Sequence, residues 1–173
     1  QINTNTQAIV NSLNAKLGTP ILSIDIGSVK DKIEKSGWVK HAIIERRLPH
    51  QIYITLVEYK PMARWQFNHK IFLINNNADI IRARTHKDYD NLLLVVGSDA
   101  NIHTNNLLHN IKHDKDLAEI IASAVRYGER RWDLHFKDGL IAKMPEENFS
   151  QAWNYLVKLH RINKLFTQNI KSI

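Results

Sequence analysis

Two histidines of this 173-residue chain have a spacing that could serve metal chemistry. His109 and His113 lie four positions apart, so on a helix their side chains would share one face. A structural zinc site needs further protein ligands, and the helical metalloprotease motif needs a glutamate directly after the first histidine. Asn110 occupies that position. The pattern therefore favours two exposed polar residues near a helix boundary, and it predicts no metal site.

The other patterns with catalytic potential are also incomplete. Gly97-Ser98-Asp99 lacks the glycine spacing of a nucleophile elbow, and the six glycines form no phosphate-binding loop. The absence of cysteine excludes a disulfide framework, a thiolate zinc site and a cysteine nucleophile. The acidic pairs Asp114/Asp116 and Glu146/Glu147 stand beside predicted helix starts, where capping explains them. We therefore expect a protein that is not an enzyme and binds no cofactor.

Basic residues give the chain a net charge of +7, and they are spread along its length. No segment is typical of a nucleic-acid-binding arm, so no nucleic-acid partner is predicted. One bias is local, because the segment Asn148–Ile173 contains no acidic residue. Its Lys and Arg residues are Lys158, Arg161, Lys164 and Lys171. Such a segment is either a solvated helix face or a docking surface for an acidic partner or an anionic membrane.

The first 60 residues have the pattern of two helices followed by two strands. The predicted elements are a helix over 4–17, an extended piece over 21–24, a helix over 28–35 and strands over 38–48 and 51–58. Ile52, Ile54 and Leu56 alternate with neighbours on the other face, which is the period of a half-exposed strand. The short link at Pro49-His50 indicates a hairpin, so we expect two helices on one face of a small sheet.

The second part of the chain is richer in strands. Predicted strands cover 63–67, 70–74, 79–82 and 92–96, a helical stripe runs from 117 to 125, and a hairpin joins 131–136 to 140–144. Asp138-Gly139 predicts a type I′ turn in that hairpin, and Asn148 with Gln151 predicts a capping box at a last helix. The fold class is therefore α+β: a two-helix domain over 1–61 and a larger mixed-sheet domain with packed helices over 62–173.

Apolar runs in the chain are short. The longest is Leu92–Val96, far below the roughly 18 residues that span a bilayer. We therefore predict no transmembrane helix and no signal peptide within this sequence. Because the sequence begins at Gln1, we expect a fragment or a processed form. The four tryptophans fall on or beside predicted elements, where packing explains them better than stacking on a sugar.

A set of residues between Gly18 and Trp65 resembles the POTRA (polypeptide-transport-associated) segment of the bacterial FtsQ/DivIB family. The residues that fit the family pattern in order are Gly18, Pro20, Trp38, Val39, Ala42, Ile44, Arg46, Pro49, Ile52, Ile54, Glu58, Pro61, Ala63 and Trp65. The later runs LLLVVGSDA and RRWDLHFKDGLIAKMPE resemble the buried strand and the hairpin of the second family domain. The chain departs from the family at Tyr59-Lys60, where an arginine often precedes the proline.

This resemblance implies a POTRA-like domain without its first strand over 1–61 and a β domain with a truncated C-terminal strand over 62–173. It implies a non-enzymatic scaffold in the periplasm at the division septum, attached to the inner membrane by a single transmembrane helix absent from this chain. The second domain would bind FtsB–FtsL-type partners, and the POTRA-like domain would bind early division components. The expected partner-binding residues are Arg130, Arg131, Ile170, Lys171, Ser172 and Ile173. The alternative is a POTRA-type chaperone module of an outer-membrane assembly or secretion machine.

Overall fold

A computed structural model describes residues 4–16, 18–82 and 89–163, and it has the α+β fold that the sequence predicts. The helices of this part of the chain are α1 (Thr6–Ser12), α2 (Ile26–Glu34), α3 (Ala100–Ile111), α4 (Lys115–Glu119) and α5 (Phe149–Asn163). The strands are β1 (Val39–Arg47), β2 (Gln51–Glu58), β3 (Ala63–Phe67), β4 (Lys70–Ile74), β5 (Ile80–Ile81), β6 (Leu94–Val96), β7 (Ile121–Tyr127), β8 (Arg131–Phe136) and β9 (Ile141–Lys143). None of these helices is both long and apolar enough to cross a membrane.

Close contacts divide the chain into two compact units. One consists of Gln1–Lys60 and Ile81–Thr85, and the other of Pro61–Ile80 and His86–Ile173. The assignment of residues 1–61 and 62–173 to two domains with incomplete strands stays a prediction.

The first unit packs α1 and α2 against the antiparallel hairpin of β1 and β2. Its core consists of Val29 and Ile33, four apart on α2, together with Val39 and Ala42 of β1. At the start of α2, the Asp25 carboxylate accepts a hydrogen bond from the Ser28 N–H at 3.2 Å. This cap satisfies one of the free donors of the first helical turn, so it fixes where the helix begins.

The segment after Pro20 is a short 3₁₀ helix, Ile21–Ser23, so the prediction of an extended piece over 21–24 is wrong there. The Ser23 N–H donates to the Pro20 carbonyl at 3.0 Å, and the Ser23 hydroxyl donates to the same oxygen at 2.7 Å. Serine side chains offer the backbone such local hydrogen bonds in competition with a strand ladder. The arginine of β1, Arg46, then donates to the carbonyls of Ile21 and Ile24 at 3.2 and 2.6 Å.

The second unit is built around a seven-stranded sheet with the order β5-β4-β3-β6-β7-β8-β9. Its centre is parallel, because β6 pairs with β3 on one side and with β7 on the other in the same direction. Val95 of β6 is fully buried, as expected for a short apolar strand covered on both faces. Helices α3 and α5 contribute Leu107, Ile111, Trp153 and Leu156 to the core of this sheet.

Residues 121–127 form strand β7, so the predicted helical stripe over 117–125 is wrong beyond Glu119. Leu117 and Ile121 are both buried, but they belong to a short helix and to the strand that follows it. A short apolar run fits helical and strand periods equally well. Pairing with β6 on one side and β8 on the other gives this segment two hydrogen-bond ladders, which decides in favour of the strand.

The hairpin of β8 and β9 exists as predicted, but its turn differs. Gly139 has a φ of +94°, whereas Asp138 has a negative φ. The Gly139 N–H donates to the Phe136 carbonyl at 3.1 Å, which closes a turn across Lys137 and Asp138. This is a type I turn followed by a glycine bulge, and the predicted type I′ turn is wrong. Asn148 precedes α5 with a φ of +59°, and its carbonyl accepts from the Gln151 and Ala152 N–H groups.

Candidate partner-binding surface

The turn between β7 and β8 presents the arginines that the sequence singled out. Gly128 and Glu129 have φ values of +59° and +57°, and the Arg130 N–H donates to the Tyr127 carbonyl at 3.2 Å. Two central residues with positive φ make a type I′ turn, whose twist matches that of the two strands it joins. Glu129 is held in this conformation by its side chain, because the Ser98 hydroxyl donates to its carboxylate at 3.0 Å.

Arg126 of β7 stabilises this turn through hydrogen bonds from its guanidinium group. Its Nη1 and Nη2 donate to the carbonyls of Arg130 and Glu129 at 2.8 and 3.0 Å, and its Nε lies 3.2 Å from Asp99 Oδ2. The side chain of Arg126 is only 11% exposed, although the two carbonyls that it binds belong to the exposed residues Glu129 and Arg130. The planar guanidinium suits this role because it presents several donors in fixed directions. Arg126 therefore has a structural task and is not available to a partner.

The loop that follows β6 allows this close packing because it begins with glycine. A Cβ at Gly97 would lie 2.8 Å from the Cβ of Arg126, and the φ of Gly97 is +137°. The Trp65 indole N–H donates to the Gly97 carbonyl at 2.8 Å, which ties the loop to β3. A glycine is therefore required at this position for both conformation and space.

Arg130 and Arg131 are neighbours in sequence with different surroundings. The Nε of Arg131 lies 3.0 Å from Asp133 Oδ1, and its guanidinium carbon lies 4.8 Å from the centre of the Tyr127 ring. Arg130 is exposed, and within residues 4–16, 18–82 and 89–163 no carboxylate lies within ion-pair distance of it. Its side chain borders a small cleft of about 100 Å³ that is also lined by His103 and Glu146. Arg130 is therefore the arginine whose charge is available.

Strand β9 forms one edge of the described sheet. It pairs with β8, the strand that follows the turn with Arg130. The Phe136 N–H donates to the Leu140 carbonyl at 2.9 Å, and the Met144 N–H donates to the Trp132 carbonyl at 2.8 Å. Because hydrogen-bonding residues alternate along an antiparallel strand, the main-chain groups of Ile141 and Lys143 point away from β8. This side of β9 has the geometry to pair with a further strand.

The basic segment of α5 includes an ion pair that the sequence does not reveal. The Nη2 of Arg161 lies 2.5 Å from Asp114 Oδ2, on the N-cap residue of α4. The pKa of the Asp114 carboxyl lies below its usual range, chiefly because the Leu117 N–H donates to it and secondly because Arg161 does. Arg161 thus has an acidic partner within the chain. Lys158 is exposed, and Lys164 and Lys171 lie outside the described residues.

The histidine pair shows no ligand arrangement. The rings of His109 and His113 meet edge to face with centroids 5.9 Å apart, and the Lys112 ammonium nitrogen lies 3.1 Å from His109 Nδ1. Helix α3 ends at Ile111, so His113 lies beyond it. Across residues 4–16, 18–82 and 89–163, no group of three potential metal ligands comes together.

The structure brings Arg130 and Arg131 to one turn, whereas Ile170, Lys171, Ser172 and Ile173 lie outside the described residues. Sequence reasoning missed Arg126 and Asp99. Gly97 is predicted to follow a buried strand, Gly97-Ser98-Asp99 lacks the pattern of a nucleophile motif, and Arg126 follows directly on the predicted helical stripe, so none of these patterns predicts the pair. A local signal is Gly128, a residue typical of turns, which comes two positions after Arg126.

Two family models match the chain in order. The model described as POTRA domain, FtsQ-type matches residues 1–59, and the model described as Cell division protein FtsQ/DivIB, C-terminal matches residues 63–173. The second match covers the turn with Arg130 and the edge strand β9.

Curated relatives are similar over the same length. A protein named Cell division protein FtsQ from Rickettsia bellii is 37% identical over 173 residues, which is 100% of this chain and 64% of the relative. A protein of the same name from Zymomonas mobilis is 32% identical over 158 residues, which is 91% of this chain and 49% of the relative. The chain thus spans about two thirds of the length of the Rickettsia relative and about half of the Zymomonas one.

Among solved structures, the major extracytoplasmic domain of the cell division protein DivIB from Geobacillus stearothermophilus, as its trans isomer, is similar. The TM-score is 0.42 at 13% identity, and the match covers 62% of this chain and 97% of that one.

Proposed function

The chain belongs to the FtsQ/DivIB family of bacterial cell division proteins, and from that premise we propose that it is a non-enzymatic scaffold of the division complex. The observation that carries this proposal is the succession of the two family matches, POTRA over 1–59 and FtsQ/DivIB C-terminal over 63–173. This succession disfavours the alternative of a chaperone module in an outer-membrane assembly machine.

The proposed location is the inner membrane, with one membrane-spanning helix that is absent from this chain and with this region in the periplasm at the division septum. In this proposal, the POTRA-like unit binds early division components, and the second unit binds an FtsB–FtsL-type complex. The scaffold thereby links the early components to septal peptidoglycan synthesis.

Arg130 is the side chain through which we expect an acidic residue of the FtsB-type partner to be recognised. Its charge is exposed on a rigid turn, whereas Arg131 is already engaged by Asp133 and Tyr127. A solvent-exposed charge at the rim of an interface acts mainly on the association rate and its salt dependence. Arg131 would then support the turn and, because it is partly exposed, would add to the positive charge that the partner meets.

The edge of β9 supplies the second part of the proposed site. An added strand would pair with the main-chain groups of Ile141 and Lys143, as in other complexes formed by β-augmentation. We propose that the segment containing Ile170, Lys171, Ser172 and Ile173 takes part in this ladder, either as the added strand or beside the partner's own strand.

A titration of a fluorescent FtsB-type peptide tests both parts of the site in the 173-residue protein. We expect Arg130→Glu to slow association and flatten the salt dependence, with an affinity loss of about tenfold at low salt. Ser172→Pro removes a main-chain donor from the proposed ladder, so it should weaken binding by a similar factor or more at every salt concentration. Lys70→Glu, an equal charge reversal on β4, is the matched control.

Equal affinities of Arg130→Glu and the Lys70→Glu control at low and high salt would contradict the role of Arg130. Unchanged binding by Ser172→Pro would contradict the role of the C-terminal segment. Circular dichroism of each variant verifies that the fold is retained.

A further inference from the structure

A second concave surface lies along α3, on a different face of this helix from the cleft beside Arg130. It is an open groove of about 500 Å³ between the last turn of α3, helix α4 and the residues that lead into β3 and β6. Its apolar wall includes Met62, Leu93, Leu108 and Ala118, all of which are partly exposed. A groove of this size with a mostly apolar wall is typical of sites that accept a peptide or a ligand.

The rim of this groove is basic. His109, Lys112 and Lys115 line it and are exposed, and Glu119 is the single acidic residue among the lining residues that the structure describes. Within that same part of the chain, neither Lys112 nor Lys115 has a carboxylate within ion-pair distance. By contrast, Arg64, Arg126, Arg131 and Arg161 of the same unit are each paired with an aspartate.

Local helix electrostatics explain only part of this rim. Lys112 caps the C-terminus of α3, where a cation interacts favourably with the helix dipole. Lys115 instead occupies the first position of α4, where the dipole favours an acidic side chain. The helix dipole therefore does not account for an ammonium group at this position.

The groove is separate from the surface around Arg130. The cleft beside Arg130 is lined by His103, Leu107 and Asn110 of α3, whereas the groove is lined by Asn105 and Leu108 of the same helix and by its C-cap residue Lys112. At 3.6 residues per turn these two sets lie on different faces of α3, so the groove and the cleft are distinct surfaces.

We propose that this groove docks a short acidic segment of a partner protein. Two or three apolar side chains of that segment would lie against Leu93, Leu108 and Ala118. Its carboxylates would face Lys112 and Lys115, and Asn91 and Asn105 would hydrogen-bond its main chain. This docking site does not depend on the scaffold function proposed above.

The probe is a fluorescein-labelled peptide with the sequence Asp-Glu-Leu-Leu-Gln-Leu-Leu-Glu-Asp, titrated against the 173-residue protein by anisotropy. The double variant K112E/K115E should bind it at least about tenfold more weakly at low salt. The matched control K40E/K70E changes the net charge equally at exposed positions of β1 and β4, and it should bind within about twofold of the unmodified protein. Amide shifts in a nitrogen–proton NMR spectrum should centre on Leu93, Leu108 and Ala118.

Four outcomes would overturn the proposal. They are the absence of saturable binding at millimolar peptide, an equal loss in both double variants, equal binding of a peptide with lysine at every acidic position, and amide shifts centred elsewhere. Sedimentation equilibrium tests whether a second copy of this chain occupies the groove instead. Self-association that is abolished by Leu108→Ala would assign the groove to a second copy of this chain and would also overturn the proposal.

Discussion

Arg126, Arg130 and Arg131 belong to one hairpin, yet their guanidinium groups meet three different environments. Arg126 is largely buried and donates to two carbonyls and a carboxylate, and Arg131 is shared between Asp133 and the Tyr127 ring. Only Arg130 of the three presents an unpaired charge within the described residues. A count of basic residues thus overstates how much positive charge a partner meets.

At the residue scale, the Asp114 carboxyl links stability to pH. Its pKa lies below the usual range because it accepts hydrogen bonds from the Leu117 N–H and from Arg161. A carboxyl whose pKa is lower in the folded than in the unfolded chain stabilises the fold above the unfolded value, about 3.9. This stabilisation is lost as the pH falls below that value toward the folded pKa.

We therefore predict that Asp114→Asn, which keeps a cap acceptor, costs about 0.5–1 kcal/mol of unfolding free energy at pH 7, since the exposed Arg161 makes the pair weak. Asp114→Ala removes the cap as well and should cost about 1–2 kcal/mol. Below about pH 4, the unfolding free energies of both variants should come closer to that of the unmodified protein. Urea unfolding at several pH values measures these differences in free energy. A difference between Asp114→Asn and the unmodified protein that stays constant down to pH 3 would refute the prediction.

At the scale of elements, turns and loops position the candidate surface more than the strands do. The type I′ turn at Gly128-Glu129 and the loop at Gly97 interlock through Arg126 and through the Ser98–Glu129 hydrogen bond. Three residues with positive φ, Gly97, Gly128 and Glu129, and one close approach to Arg126 meet in this small region. The rigidity of the turn that carries Arg130 therefore depends on residues that contact no partner.

This interlock predicts a difference between two glycine substitutions. Gly97→Ala places a Cβ 2.8 Å from the Cβ of Arg126 at a φ of +137°, so strain and a clash add together. Gly139→Ala has a positive φ of +94° but no atom within 4 Å of its Cβ. We expect Gly139→Ala to cost about 1 kcal/mol and Gly97→Ala about 2–4 kcal/mol.

Urea unfolding of the two variants gives these free energies directly. Equal losses would show that the loop after β6 yields without cost and that the contact with Arg126 is unimportant. The variant Gly97→Ala should in addition weaken binding of the FtsB-type peptide, because it displaces the turn that carries Arg130.

At the scale of the whole molecule, two hydrophobic cores stabilise the two units. The smaller is centred on Val29, Ile33, Val39 and Ala42. The larger consists of buried residues of the seven-stranded sheet and of the helices that pack on it, including α3 and α5. The larger core includes Trp65, Trp132 and Trp153. The hydrophobic core of the first unit is therefore aliphatic, and that of the second unit is partly aromatic.

We predict that Ile33→Ala and Leu134→Ala each remove about 2–5 kcal/mol from the unit that contains them, since both side chains are almost completely buried. Amide hydrogen exchange reports on each unit separately. Ile33→Ala should reduce protection in β1 and β2, and Leu134→Ala should reduce it in β7 and β8. Unchanged protection in the mutated unit would mean that its core has been assigned to the wrong residues.

Local sequence patterns are enough to predict the α+β class, the order of most elements, and the hairpins β1–β2 and β8–β9. These features depend on alternation, turn residues and caps, which are local properties of the chain. The residues that resemble the FtsQ/DivIB family also lie in order along the sequence, and they drew attention to Arg130 and Arg131. The family matches confirm this identity.

The identity of β7 and the pairing of the charged side chains depend on long-range contacts, which outweigh local pattern. Residues 121–127 have an apolar spacing that suits a helix, but two neighbouring strands make them the strand β7. The pairs Arg126–Asp99 and Arg161–Asp114 join residues 27 and 47 positions apart, so no spacing rule reveals them. These pairings decide which cations are free, and they leave Arg130 at the turn and Lys112 with Lys115 at the groove.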